Sequence, residues 1–128
     1  MQFELAKKCK DVGFPQIWAT GRRYYLNDGS SVLFDEVRFA QEEDGSIIPY
    51  ETRLTYIPTL SELIVMLDKD FGCLARTSNG FAAFSDFNEM WFTEQSKNRF
   101  FEEGATMIEA VAKLYISVKT RQEDDKVA

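Results

Sequence analysis

Two guanidinium groups and two aromatic rings are adjacent in the sequence at Arg22, Arg23, Tyr24 and Tyr25. Arginine pairs with phosphate and tyrosine rings stack on bases, so this segment could contact single-stranded nucleic acid. The same residues are also typical of a strand in which alternate rings are buried and the arginines are solvated or paired with the acidic stretch 35–51. The net charge of −6 favours this second interpretation, because an acidic protein repels phosphate.

A second group of candidate residues is a dense aromatic segment near the middle of the chain. Its members are Phe81, Phe84, Phe87, Trp91, Phe92, Phe100 and Phe101. Large rings fill cores and also anchor protein interfaces. We favour core packing beneath the last helix. A partial interface is the alternative, because so many rings are hard to bury in one small domain, and its contact residues would be Phe84, Phe87, Trp91 and Phe92.

Five carboxylates lie close together in the sequence at Asp35, Glu36, Glu42, Glu43 and Asp44. Paired carboxylates could perform acid–base chemistry or hold Mg²⁺. Such sites need side chains that converge from separate, rigid elements, whereas these are sequence neighbours and three of them fall in a polar connection. A solvated acidic loop is therefore the better interpretation, and we predict neither a metal site nor a cofactor.

Other catalytic arrangements are missing from the sequence. There is no histidine, which removes a histidine general base, a Ser-His-Asp triad and histidine-ligated zinc together. The two cysteines, Cys9 and Cys73, cannot form a four-cysteine metal site and are expected to act as small apolar fillers. No G-x-G-x-x-G, Walker A, G-x-S-x-G or C-x-x-C pattern occurs. We therefore predict no catalytic residues and favour a protein that is not an enzyme.

Targeting patterns indicate a cytoplasmic protein that does not enter a membrane. The segment Met1–Lys10 has no apolar core of the kind that a signal peptide needs. The longest apolar run, Leu63–Leu67, is far shorter than the ~20 residues of a spanning helix.

Three amphipathic segments predict helices. The first is Glu4–Val12, the second begins after Thr59 and ends near Phe71, and the third is Gly104–Thr120. Both later helices begin with the Thr-x-x-Glu spacing of a capping box, and Thr106 opens the second of these patterns.

The remaining segments favour short strands joined by turns, and Asn-Asp-Gly-Ser at 27–30 and Thr-Ser-Asn-Gly at 77–80 predict two hairpins. The predicted strands are Ile17–Thr20, Arg22–Leu26, Ser31–Phe34, Glu36–Phe39, Thr52–Tyr56, Cys73–Arg76, Phe81–Phe84 and Met90–Thr93. This order predicts a single α+β domain over residues 1–121, with an antiparallel sheet and about three helices packed mainly on one face. Residues 122–128 are expected to be a frayed tail.

Three segments carry a resemblance: Glu4–Lys10 leading into Gly13–Gln16, then Tyr56–Ile64, then Ala105–Tyr115. Together they resemble a group of small, uncharacterised proteins encoded in bacterial genomes, often within prophage or mobile regions. The last segment is also similar to a helix start in HicB-type antitoxins, which are small α+β proteins that bind a toxin partner. The resemblance implies a shared fold and supplies no catalytic residues.

These observations lead to a non-enzymatic protein-binding module that contacts another protein, or itself as a homodimer. The acidic residues 35–51 would favour a basic partner surface. The alternative is a nucleic-acid-associated protein of mobile-element biology that uses Arg22, Arg23, Tyr24 and Tyr25. A metal-dependent carboxylate enzyme is the third and least favoured class.

Overall fold

The computed structural model of the chain describes residues 1–19, 21–33, 39–41, 45, 47–49, 54–85 and 101–127. These ranges contain three α-helices and eight short strands, and every strand pair is antiparallel. The predicted α+β fold class is confirmed. The described strands form two three-stranded sheets and a two-stranded sheet where one sheet was expected. A helix separates the two larger sets of strands in the sequence, and each set pairs internally.

The chain forms two compact units. The helix unit comprises Met1–Gly13 and Pro58–Ala128, and the strand unit comprises Phe14–Ile57. All three described helices belong to the helix unit, together with one three-stranded sheet. The single domain over residues 1–121 stays a prediction.

The strand unit is built around β1 (Arg23–Leu26), which pairs with β2 (Ser31–Leu33) on one side and β5 (Leu54–Tyr56) on the other. A separate ladder joins β3 (Phe39–Gln41) to β4 (Ile47–Pro49). The sequence did not predict β4, because a three-residue strand ending in proline carries almost no alternating pattern. Parts of the strands predicted over 31–34, 36–39 and 52–56 lie outside the described residues, and the strand predicted over 90–93 lies wholly outside them.

The turn between β1 and β2 confirms the first predicted hairpin. The backbone N–H of Gly29 donates to the carbonyl oxygen of Leu26 at 2.9 Å, and Gly29 has a φ of 88°. Only glycine adopts this left-handed backbone without steric cost. The Asp28 carboxylate accepts from the backbone N–H of Ser30 at 2.9 Å and fixes the turn further.

The prediction of a strand over Ile17–Thr20 is wrong for its described part, residues 17–19, which join no sheet. Side-chain contacts with Tyr24 hold this backbone in place of a ladder. The Tyr24 hydroxyl donates to the carbonyl oxygen of Ile17 and accepts from the backbone N–H of Ala19. The Trp18 ring also stacks on the Tyr24 ring, with 5.1 Å between ring centroids.

Two of the segments that carry the sequence resemblance meet within the strand unit. The Phe14 ring stacks on the Tyr56 ring with 6.3 Å between centroids. The Gln16 side chain accepts from the backbone N–H of Tyr56 at 2.8 Å and donates to the carbonyl oxygen of Phe14 at 3.1 Å. These contacts tie the start of the unit to its last strand, so this motif stabilises the fold.

The sheet of the helix unit has the order β6-β7-β8, formed by Cys73–Thr77, Gly80–Phe84 and Phe101–Gly104. The second predicted hairpin is confirmed as the β6–β7 pair. Its loop contains only residues 78 and 79, and the positive φ of 150° falls on Gly80, the first residue of β7.

Most of the other elements of the helix unit pack against its third helix. This helix, α3 (Met107–Val127), contacts α1 (Phe3–Asp11), α2 (Leu60–Leu67), β7 and β8. The sequence predicts an apolar stripe on this helix at Ile108, Val111, Leu114, Tyr115 and Val118. It is largely confirmed, because the last four are buried and Ile108 is half-buried. The buried side chains of α3 are Ala110, Val111, Ala112, Leu114, Tyr115 and Val118.

Side-chain caps begin α2 and α3. At α2, the Thr59 hydroxyl accepts from the backbone N–H of Glu62 and the Glu62 carboxylate accepts from the backbone N–H of Thr59, which confirms the capping box. At α3, the Thr106 hydroxyl accepts from the backbone N–H of Glu109 at 3.2 Å. The Glu109 carboxylate instead accepts from the backbone N–H of Ala105, one residue earlier than the predicted pattern.

Two helices end at positions that differ from the predictions. Helix α2 ends at Leu67, and a 3₁₀ turn over Asp68–Asp70 follows. Helix α3 continues to Val127, where a frayed tail from 122 was expected. The Gln122 amide donates to the Asp70 carboxylate at 3.2 Å, so this part of the helix contacts the 3₁₀ turn.

Two glycines allow β7, β8 and α3 to approach closely. A Cβ at Gly80 would lie 2.3 Å from the carbonyl oxygen of Gly104, and a Cβ at Gly104 would lie 2.6 Å from the backbone nitrogen of Ala110. Both neighbours are backbone atoms, which cannot rotate away as a side chain would. The close pairing of β7 with β8 therefore requires glycine at 80, and the packing of α3 against β8 requires glycine at 104.

We expect Gly104→Ala to destabilise the protein by about 3 kcal/mol, because the new methyl group overlaps the α3 backbone. Gly13→Ala is the control, since Gly13 has a φ of 98° with open space around it. That substitution should cost only the ~1–2 kcal/mol of a left-handed backbone. Urea unfolding measures both free energies. A loss for Gly104→Ala no larger than that for Gly13→Ala would contradict the close approach.

Candidate functional site

The side chains of the first candidate site do not all lie on the same face of β1. The Tyr24 side chain is fully buried, and its ring lies 5.1 Å from the Trp18 ring and 5.5 Å from the Tyr56 ring. Arg22 and Arg23 are exposed and Tyr25 is half-buried. Tyr24 therefore belongs to the core of the strand unit, and the two adjacent rings do not form a common stacking platform.

The exposed face of β1 continues onto β2. In the sheet register, Arg23 lies opposite Leu33 and Tyr25 lies opposite Ser31. Opposite residues share one face of an antiparallel pair, so these four side chains lie on the same side. Leu33 is 59% exposed. Among the described residues, the face thus combines a guanidinium group, one half-buried ring and an aliphatic side chain, and a second ring is not among them.

The second candidate site is described only at its two ends. Phe84 is 5% exposed, and its ring stacks on that of Phe101 with 5.6 Å between centroids. This pair lies in the sheet of the helix unit, on β7 and β8, so Phe84 fills the core there. Phe87, Trp91 and Phe92 lie outside the described residues.

The cysteines and carboxylates assemble no reactive site in the described part of the chain. Cys9 is fully buried, and burial raises the pKa of its thiol to about 12, which keeps it neutral and unreactive. Burial also raises the pKa of Tyr115, with a further contribution from the neighbouring Cys9. The described residues contain no group of three or more cysteine, aspartate or glutamate side chains able to hold a metal ion. The acidic residues at 35, 36 and 42–44 lie outside the described ranges.

The sequence interpretation missed an exposed apolar surface on α2. Six of the eight residues of this helix are apolar, and Leu63 and Leu67 are buried. Val65 is 73% exposed and its neighbour Met66 is 37% exposed. A surface helix normally carries polar residues on the side that faces solvent. Val65 and Met66, which we call the α2 surface, break this pattern.

A signal for the α2 surface was present in the sequence. The stripe of Leu60, Leu63, Ile64 and Leu67 accounts for one side of the helix, and the residues left over at 65 and 66 are also apolar. Polar residues are expected on the outer side of a surface helix. Apolar residues outside the stripe therefore indicate either a second buried side or a contact surface.

The helices of the described ranges are either too short or too polar to cross a membrane.

The buried thiol gives a prediction about pH. We expect the free energy of unfolding to fall as the pH rises from about 9 towards 12, because the unfolded thiol ionises near its ordinary pKa of 9.0 while the folded thiol stays neutral until about 12. Cys9→Ala should flatten this fall. Denaturant unfolding over this pH range measures the slopes. Equal slopes for wild type and Cys9→Ala would show that the buried thiol is not the cause.

Comparisons with known proteins identify no relative of this chain. No family model, no curated protein and no solved structure matches the chain. The α2 surface and the exposed face of β1 therefore have to be interpreted from their own residues.

Proposed function

We propose that this protein is a non-enzymatic binding module that contacts another protein through the α2 surface. The observation that carries the proposal is the 73% exposure of Val65, beside Met66, on the outer side of a helix in which six of eight residues are apolar. Covering a valine or methionine side chain completely is worth about 1.5–3 kcal/mol, so a partner that fits here gains free energy from both residues.

The α2 surface is held rigidly before any partner arrives. The capping box at Thr59 and Glu62 fixes the start of the helix, and Leu63 and Leu67 anchor its inner side in the core of the helix unit. A contact surface that is already ordered loses little conformational entropy on binding. This preorganisation distinguishes α2 from an apolar segment that is only transiently exposed.

The chemistry of the other candidate residues also supports a binding function. Cys9 is buried with a raised pKa, so it is not an available nucleophile, and Tyr24 and Phe84 are core residues. The resemblance to small prophage-encoded proteins and to HicB-type antitoxins agrees with the proposal, since an antitoxin acts by binding a protein. A cytoplasmic, mobile-element setting is part of the proposal on the same ground.

Site-specific photo-crosslinking tests this function. A benzophenone amino acid replaces Val65 in the protein expressed in the cells that encode it. We expect a covalent protein adduct there and none at Thr120, an exposed control position on α3. The mass of the adduct, less the mass of the chain, gives the mass of the partner. If neither position gives an adduct in those cells, the α2 surface is not a binding site and the proposal fails.

A further inference from the structure

We propose that the outer edge of β6 pairs with the same edge of a second copy of this chain, antiparallel about a two-fold axis at Ala75. The pairing joins the three-stranded sheets of the two copies into one continuous sheet. The inference concerns a surface other than α2 and goes beyond the proposed function, since it does not depend on what binds there. It is carried by a difference between the two outer edges of the sheet β6-β7-β8.

The backbone groups of β7 alternate between its two neighbouring strands. The carbonyl oxygen of Phe84 accepts from the backbone N–H of Gly72 at 2.8 Å, so the backbone groups of Phe84 face the β6 side. Successive residues of an antiparallel strand direct these groups to opposite sides. Ala82 therefore also faces β6, where its partner is Ala75. The backbone groups of Ala75 in turn face inward, towards β7.

The outer edge of β6 is open. Leu74 and Arg76 flank Ala75, so their backbone N–H and C=O groups point away from β7. Within the described ranges, β6 is the last strand of its sheet, and these outward groups have no hydrogen-bond partner. A row of unpaired backbone groups is a template for another extended strand.

The opposite edge of the same sheet is closed. Phe81 of β7 faces β8 and pairs with Gly104, so the preceding residue, Glu103, directs its carbonyl oxygen outward. The side chain of Lys113 on α3 donates to this oxygen at 3.2 Å. Strand β8 is also only four residues long and carries two glutamates. Short, charged edge strands resist pairing with another chain, so the β6 edge is the one that remains for association.

One open edge on each copy favours a closed pair over a longer assembly. Two identical strands related by a two-fold axis run antiparallel, and the joined sheet then ends at β8 on both sides. An axis at Ala75 sets Leu74 of one copy opposite Arg76 of the other. Each outward N–H group of these residues then meets an outward carbonyl oxygen.

The side chains of β6 suit this register. Alanine lies at the axis, where the two strands come closest because the facing residues there are not hydrogen-bonded to each other. Arg76, the one charged residue of the strand, lies opposite Leu74 and not opposite a like charge. Cys73 lies opposite Thr77, and both are uncharged. The net charge of −6 on each copy opposes association, so the dimer should form and dissociate with protein concentration.

Sedimentation equilibrium of the full chain over a range of concentrations tests the inference. We expect a reversible monomer–dimer equilibrium without larger species. A wild-type chain that stays monomeric at the highest soluble concentration would overturn the inference and leave a strand of another protein as the occupant of this edge. Species that grow beyond the dimer would overturn the closed, two-fold arrangement.

Substitutions at Arg76 test whether the outward backbone groups hold the dimer. Arg76→Pro removes an outward N–H group and should weaken the dimer on the order of tenfold or more. The β6–β7 ladder should survive, because proline is tolerated where the N–H of an edge strand faces outward, and circular dichroism checks this. Arg76→Gln is the matched control, since it removes the same charge but keeps the N–H group, and it should dimerise nearly as the wild type does. Equal weakening by the two variants would contradict the inference.

Disulfide trapping tests the register and does not depend on the proline variant. Thr77→Cys places a thiol opposite Cys73 of the other copy, at a pair whose Cα separation suits a disulfide. Within one copy the two positions lie ~13 Å apart along the strand, which is too far to bridge. Oxidised glutathione should therefore produce a covalent dimer. Thr77→Cys combined with Cys73→Ala should give little, because the new thiols lie on opposite sides of the axis. Equal yields from the two variants, or no covalent dimer from Thr77→Cys alone, would overturn the register.

Discussion

Burial of the apolar side of α3 is the interaction on which the helix unit depends. The side chains of Val111, Leu114, Tyr115 and Val118 are buried where α1, α2, β7 and β8 meet this helix. Small residues at 110 and 112 and the glycine at 104 allow backbones to come close. Because α2 is held from its inner side by this core, the side that carries Val65 and Met66 faces outward. The exposed surface is thus a product of the packing that stabilises the unit.

Local physical chemistry allowed much of the fold to be predicted. The Thr-x-x-Glu pattern at Thr59 and the Asp28-Gly29 turn act over a few residues, so their consequences are visible in the sequence. The predictions were wrong where specific side-chain contacts decide the structure. Residues 17–19 have a strand composition but are held by the Tyr24 side chain. Helix α3 extends to Val127, beyond the apolar stripe that marked it in the sequence.

The candidate site was harder to predict than the fold. The sequence interpretation favoured burial of the rings at Tyr24 and Phe84, and both are buried. It missed the α2 surface. The apolar stripe of α2 accounts for its buried side, and the apolar residues on the other side were left without an interpretation. Whether Val65 is exposed depends on which elements pack against α2, and the sequence pattern alone does not show those neighbours.

The order of the two units along the chain has a consequence for folding kinetics. The strand unit is inserted between α1 and α2, so α1 meets α3 only across most of the sequence. During synthesis, the segment Phe14–Ile57 can pair its own strands early, whereas Leu5 and Cys9 of α1 must wait for the ribosome to deliver α3. Such high contact order slows folding. The apolar side of the first helix is therefore synthesised well before the helix that buries it.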